Sequence, residues 1–437
     1  MTNDTTAGAT TGTTDTAATD APRRRTPLVA LFAAQLFSLS GNAIALIAIP
    51  IIALTQTGSP LAAGVAGVFA TVPLVIGGAL GGVLVDRFGY RTSSIVADIA
   101  SGVTVLAIPL LAATVGLHFG VLLALVFLGG LLDAPGDTAK TVLMPDLADL
   151  ARVPLARAAG AQSTVQRTAM MIGAGVAGVL VAIAGPMPAL LVDAAGFAVS
   201  ALLVVCFVPR RAAASPPDGE APVQGGFVAG IRFIAASPLL RSIVLLVTLT
   251  NAIDAAGITV LKPVYATQVL GDPAVLGFMV GCFAAGALTG SALFAAAGHR
   301  YSGRVVFALC FVLAGTPPYL AMALGAPVPV LLPILVFSGL AAGALNPMMA
   351  TAMYGLVPDG VRARVFGAMT AGVAASMPLG AFLGGLSVER FGLAPTLLAC
   401  AVIYLVLGSS PLYLRSFTGL AAARTPTGVR GANGSPV

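Results

Sequence analysis

Twelve runs of about twenty or more predominantly apolar residues follow one another along the sequence, near 28–54, 61–85, 93–114, 120–143, 164–185, 188–208, 239–266, 274–297, 304–324, 328–355, 364–387 and 393–414. Each is long enough to cross the roughly 30 Å hydrocarbon core of a bilayer as a helix. In hydrocarbon a backbone group must find its partner within its own helix or in a closed barrel, and runs this long and uniform lack the alternation of barrel strands. The sequence therefore predicts an all-α polytopic membrane protein, whose spans we number helix 1 to helix 12. Composition agrees: 9% of residues are charged and 58% hydrophobic, against roughly 25% charged in a soluble domain.

The runs fall into six plus six. Residues 1–26 are rich in Thr, Ala and Asp and end in Arg23, Arg24 and Arg25, the composition of a disordered tail. A first bundle over 27–208 follows, then a linker over 209–238 that opens PRRAAASPPDGEAPVQGG, a second bundle over 239–415, and a tail over 416–437. The run after Leu28 is too long for a signal-peptide core, so it reads as a retained span. The halves look like copies. GAGVAGVLVAIAGPMPALL (173–191) aligns without gaps with GAFLGGLSVERFGLAPTLL (380–398), setting Gly173 on Gly380, Gly178 on Gly385, Gly185 on Gly392 and Pro188 on Pro395. LMPD (143–146) echoes LVPD (356–359), and Gly77, Arg87 and Arg91 fall on Gly290, Arg300 and Arg304. Two pseudo-symmetric six-helix bundles are the organisation of a transporter that rocks one half against the other around a midplane site.

Of the 22 Lys and Arg, all but Lys262 and Arg390 fall toward one side of the membrane, which the positive-inside rule makes cytoplasmic, with both termini. A pI near 9.5 follows from this topology, and with no polar basic domain the chain offers nucleic acid no partner surface. Cys206, Cys282, Cys310 and Cys400 each lie in an apolar run without paired spacing, and His118 and His299 lie in separate loops, so neither a metal nor another cofactor is expected. An enzyme would need a nucleophile with its base or paired acids at the membrane edge, and neither constellation is present. GDTAKT (136–141) lacks the Gly-Lys pair of a phosphate loop.

Ionisable residues inside a span cost about 2.5–3.5 kcal/mol each and mark candidate sites. Asp254 stands about fifteen residues into helix 7, beside Asn251, where a carboxyl can take up and release a proton as the site alternates; the competing reading is a structural partner of Asn42 or Lys262. Asp133, Asp137 and Lys140 share one face of helix 4, as a self-compensating charge group or a coupling site. Asp193 lies near the outer end of helix 6, within reach of water, and Asp98 lies a turn inside helix 3. Gln35, Asn42, Asn251 and Asn346 are expected to line a cavity or join helices.

The stretch GGALGGVLVDRFGYR (77–91) concentrates charge in one short turn. With Gly82, Asp86, Arg87, Gly89 and Arg91 at their spacing, and Tyr90 in place of the first base of a basic pair, it resembles the signature between helices 2 and 3 of the major facilitator superfamily. LMPDL, VDAAGF (192–197), FVAGIRFIAASPLLR (227–241) and LVPDGVRARVFG (356–367) are similar to the macrolide- and siderophore-exporter branch of its drug:proton antiporters. The antiporter motif of helix 5 stands as Gly173, Gly175 and Gly178 without its proline, and the arginine signature of helix 4 is missing. The resemblance implies that Asp86 faces the start of helix 11 near Val361 to Arg364, while Arg87 or Arg91 reaches an acid on helix 4, with Asp137 the candidate. It implies a secondary transporter of the plasma membrane, monomeric, whose partners are the bilayer, protons and a small-molecule substrate. Export of an amphipathic drug or natural product by proton antiport is the first reading; import of a metabolite or sugar, and a non-transporting sensor, are the alternatives.

Overall fold

The computed structural model describes residues 24–210, 226–297, 303–357 and 359–418, without the side chains of 74, 78–87, 156, 226–229, 295–297, 350–352, 354–355, 359–364 and 418. Among the described residues all regular structure is helical. Helices 1 to 6 run Thr26–Thr57, Pro60–Phe88, Tyr90–Thr114, Phe119–Leu150, Leu155–Ala184 and Pro186–Phe207. Helix 7 runs Pro238–Val269, and helices 8 to 12 run Val275–Ala297, Arg304–Ala323, Val328–Leu356, Asp359–Phe391 and Leu393–Tyr413. These are the twelve spans of the sequence, lengthened mostly where helix ends leave the apolar zone. The end of the segment read as a flexible linker is itself a helix, Gly226–Ala236, whose Phe233 and Ile234 pack with Met353, Val357, Val365 and Ala368.

The turns repeat as the sequence does. Gly185 and Gly392, equivalent in the two halves, take φ of 85° and 86°, a conformation open to glycine, and each reverses the chain into the next span without a loop. Helix 7 departs from regular α geometry, with π turns at Gly257–Leu261 and Tyr265–Val269 on either side of Lys262–Val264. Pro263 supplies no N–H there, so the ladder must be remade around it.

In the first bundle helix 1 packs on helices 5 and 6, and helices 2 and 3 on helix 4; in the second, helix 8 packs on helix 10, helix 9 on helix 12 and helix 11 on helix 7. Helices 2 with 11 and 5 with 8 join the bundles. Toward the membrane face that carries the termini each bundle has its own core, around Leu31, Leu143 and Val204 in the first and around Leu240 and Val365 in the second. Toward the opposite face one continuous core joins Ile47, Ile51 and Val181 to Val260, Leu261, Val264, Tyr265 and Leu276. Small residues allow that closure: a Cβ at Gly64 would lie 3.1 Å from Gly385 Cα, and one at Gly178 3.0 Å from Gly277 Cα. Ser59 Oγ, at the start of helix 2, donates to Glu389 Oε2 of helix 11 at 3.1 Å. The bundles are thus sealed together at the face opposite the termini.

Candidate functional site

Helices 1 to 6, with Thr259 of helix 7, enclose a cavity of about 410 Å³. Its wall is aliphatic, from residues such as Leu46, Ile49, Val105, Ile108 and Val126, and is interrupted by Asn42, Asp133, Asp137, Gln166 and Asp193. Asn42 Nδ2 donates to Asp133 Oδ2 at 2.8 Å. Among the described residues Asp133 Oδ1 and both oxygens of Asp193 accept no hydrogen bond. Asp193 is not close to water as the sequence suggested: it is 0% exposed, because helix 6 enters the bundle through the Gly185 turn and presents the residue to helix 1. Asp193 Oδ1 stands where a Cβ at Gly41 would be, so glycine on helix 1 makes its place. A buried polar atom left unpaired costs about 1–3 kcal/mol, and more when charged.

Lys140 makes its direct ion pair away from helix 4. Its Nζ reaches across to Asp98 Oδ1 of helix 3 at 2.7 Å, while Ser200 Oγ of helix 6 donates to Asp98 Oδ2 at 2.7 Å, and all three residues are wholly buried. The spacing along helix 4 could not reveal a partner on another helix. Asp133 and Asp137 are left with the cavity.

A second cavity, of about 230 Å³, lies within the C-terminal bundle, lined by Asn251, Asp254, Ile258, Lys262, Phe283, Tyr319 and Leu335 among others. Asp254 is open to it, and its two oxygens accept from Tyr319 at 3.4 Å and Tyr404 at 3.2 Å. Tyr319 also donates to the Ile253 carbonyl at 3.1 Å, just before the π turn, and its ring stands where a side chain at Gly257 would go. Neither partner proposed from the sequence is used: Asn42 serves Asp133, and Lys262 is not within ion-pair distance of Asp254. Tyr319 and Tyr404, from helices 9 and 12, were passed over in the sequence because a tyrosine within an apolar run reads as hydrophobic, although its hydroxyl still requires a partner. Asn251 lines this cavity while donating to its own helix at Val247, whereas Asn346 is exposed and lines neither cavity.

Of the turn between helices 2 and 3, Gly82 lies within helix 2, while the side chains of Asp86 and Arg87 and those of residues 361–364 at the start of helix 11 lie outside what is described. Gly89 precedes helix 3 with φ 81°. Arg91 does not reach Asp137: its guanidinium donates to the Val208 and Val205 carbonyls at 2.7 and 2.6 Å, at the negative end of helix 6. Arg304, its counterpart, donates to Leu412 at the end of helix 12 at 2.8 Å, and Leu412 stands on Val205 in the register that sets Gly380 on Gly173. The helix-5 glycines divide their work: a side chain at Gly173 would meet the Ser40 carbonyl of helix 1, Gly178 meets helix 8, and Gly175 has open space. Among the described residues no cluster of His, Cys, Asp and Glu could hold a metal ion.

Twelve spans in two bundles, each with an acid-bearing cavity at membrane depth, define a membrane transporter of small molecules. Residues 17–423 match the family model described as a transmembrane secretion effector, and the chain belongs to that family of the major facilitator superfamily; it is a transporter and not an enzyme. It is 30% identical over 409 residues to the multidrug efflux pump Tap of Mycolicibacterium fortuitum, across 92% of this chain and 99% of that protein. Among solved structures its fold is similar to the nucleoside transporter NupG, with a TM-score of 0.72 at 14% identity over 89% of this chain and 99% of the other. A bacterial homologue of the lysosomal transporter Spinster, in an inward-facing and unoccupied conformation, gives 0.68 at 16% identity over 92% and 99%.

Proposed function

We propose that the protein exports a small amphipathic organic compound across the plasma membrane in exchange for protons, with both termini cytoplasmic. The observation that carries this reading is the first cavity, in which aliphatic walls are interrupted by carboxyls whose oxygens have spare capacity. Apolar walls hold lipophilic bodies by dispersion with little discrimination, and a carboxylate selects those that carry positive charge. Protons and a cationic cargo compete for one carboxylate, and that competition is what antiport needs. Asp133 and Asp193 are the acids best placed for it, since each has free oxygens and they lie near enough to repel one another when charged. Asp254, held by two tyrosines, has the stabilising shell of a carboxylate that stays in place. The relative named as a multidrug efflux pump supports the same direction and breadth of cargo. Import of a sugar or polar metabolite is disfavoured, because hydroxyl-rich ligands need more hydrogen-bonding groups than these walls supply.

With cytoplasmic termini, closure of the opposite face makes this the state open to the cytoplasm. The test is accumulation of lipophilic cationic dyes in an efflux-deficient bacterium expressing the wild type, Asp133→Asn, Asp193→Asn or Asp254→Asn, with and without a protonophore. We expect the wild type to lower accumulation, the protonophore to abolish that effect and Asp193→Asn to lose it. Persistent protonophore-sensitive efflux in Asp193→Asn and Asp133→Asn would move coupling to Asp254, and dye accumulation raised by the wild type would replace export with import.

A further inference from the structure

The chain has two lysines, both within spans, and the structure treats them oppositely. Lys140 is wholly buried and paired. Lys262 is only half-buried, lines the second cavity, and has neither a hydrogen-bond acceptor nor a carboxylate within ion-pair distance among the described residues. Its ammonium stands over the face of Phe283, 5.5 Å from the ring centroid. An ammonium at membrane depth is costly, and a cation–π contact returns only part of that cost. Asp254 lines the same cavity but stands beyond ion-pair distance and acts on the ammonium only through space. Beside Lys262 the wall is apolar, with Ile258 and Leu335, so the space suits an anionic group attached to a hydrophobic body.

We propose that this cavity is an anion subsite of the cargo site, where Lys262 binds a carboxylate, phenolate or enolate oxygen, so that the transported compound is a zwitterion. The inference rests on the export reading and sharpens it. Helix 7 borders both cavities, with Ile258 lining the second and Thr259 the first. A compound with a cationic group toward Asp133 and Asp193 and an anionic group toward Lys262 satisfies both. A compound bearing only the cation leaves the ammonium as unpaired as it is now, and one bearing only the anion brings no charge to the acids. Phe283 keeps the ammonium at the cavity wall in the meantime and gives way to a charge-assisted hydrogen bond, the stronger contact.

The test uses the full-length protein in lipid nanodiscs and two fluorescent ligands, a rhodamine free acid, which is a zwitterion, and its methyl ester, which is only a cation. Binding is read by fluorescence anisotropy. We expect the wild type to bind the acid about tenfold more tightly than the ester, and Lys262→Met to abolish that preference by weakening the acid about tenfold, or about 1.4 kcal/mol, with the ester unchanged. Lys262→Arg should keep the preference. Equal affinities in the wild type, no binding of the acid, or an equal loss of both ligands in Lys262→Met would overturn the subsite. Export is read separately, as uptake of either dye by inside-out vesicles under an imposed pH gradient. Failure of uptake with the acid-over-ester preference intact would remove the export reading and leave the anion subsite standing.

Discussion

Charge inside this molecule is either closed or left open, and the two conditions carry different expectations for substitution. Asp98, Lys140 and Ser200 form a closed group in which each oxygen and the ammonium have partners. Removing one side strands the other, so Asp98→Asn should cost about 3–5 kcal/mol, while Asp98→Asn combined with Lys140→Met should recover most of that. Thermal unfolding of the purified protein, followed with a cysteine-reactive dye, would check the pair; a double variant no more stable than the single one would mean that the charges do more than compensate each other. Asp193 is the open case. Asp193→Asn keeps the volume and removes the charge, so it should leave the melting temperature unchanged or raised while reducing protonophore-sensitive efflux at least tenfold.

At the scale of the helix, glycine identity separates contacts from mere composition. A methyl group on Gly277 would collide with the Gly178 backbone of helix 5, and neither backbone can yield without moving a whole span. Gly277→Ala should therefore weaken closure of the face opposite the termini and reduce efflux severalfold, whereas Gly175→Ala, which meets open space, should be silent in the same dye assay. Gly41→Ala has a more local effect, since the new methyl takes the place of Asp193 Oδ1 and should reproduce the transport defect of Asp193→Asn. Helix 7 combines both kinds of feature: π turns flank Lys262, and Tyr319 ties the turn before them to Asp254.

For the whole molecule, the seal between the bundles is the element that transport must open. Ser59 and Glu389 meet across it at 3.1 Å. In a background with the four native cysteines replaced by serine, Ser59→Cys with Glu389→Cys and a short thiol cross-linker should halt efflux, and reductive cleavage should restore it. Cross-linked protein that still transports would exclude separation of the bundles at this face. Reporter fusions at either end should be active only in the cytoplasm if the termini lie where the distribution of Lys and Arg puts them.

The spans, their number and the doubling of the fold are properties of local sequence. An apolar run of about 20 residues has few structures available in a bilayer, and a duplicated Gly185-type turn carries its conformation in its own glycine. The repeat near the end of helix 2 paired Arg91 with Arg304, and the two cap the ends of helices 6 and 12 in the same way. Which charges meet was not local. Asp137 was expected to receive Arg87 or Arg91, Lys140 to balance Asp133 and Asp137, and Asp254 to bond Asn42 or Lys262; Arg91 instead caps helix 6, Lys140 pairs with Asp98, and Asp254 accepts from two tyrosines. A span's neighbours are set by how six helices pack around a core, and a side chain pairs with whatever that packing brings to its depth. The sequence alone determined the fold because bilayer and backbone leave little choice; only the tertiary structure decided the two cavities, because each is walled by side chains from five or more separate helices, whose facing sides are set by packing and not by local sequence.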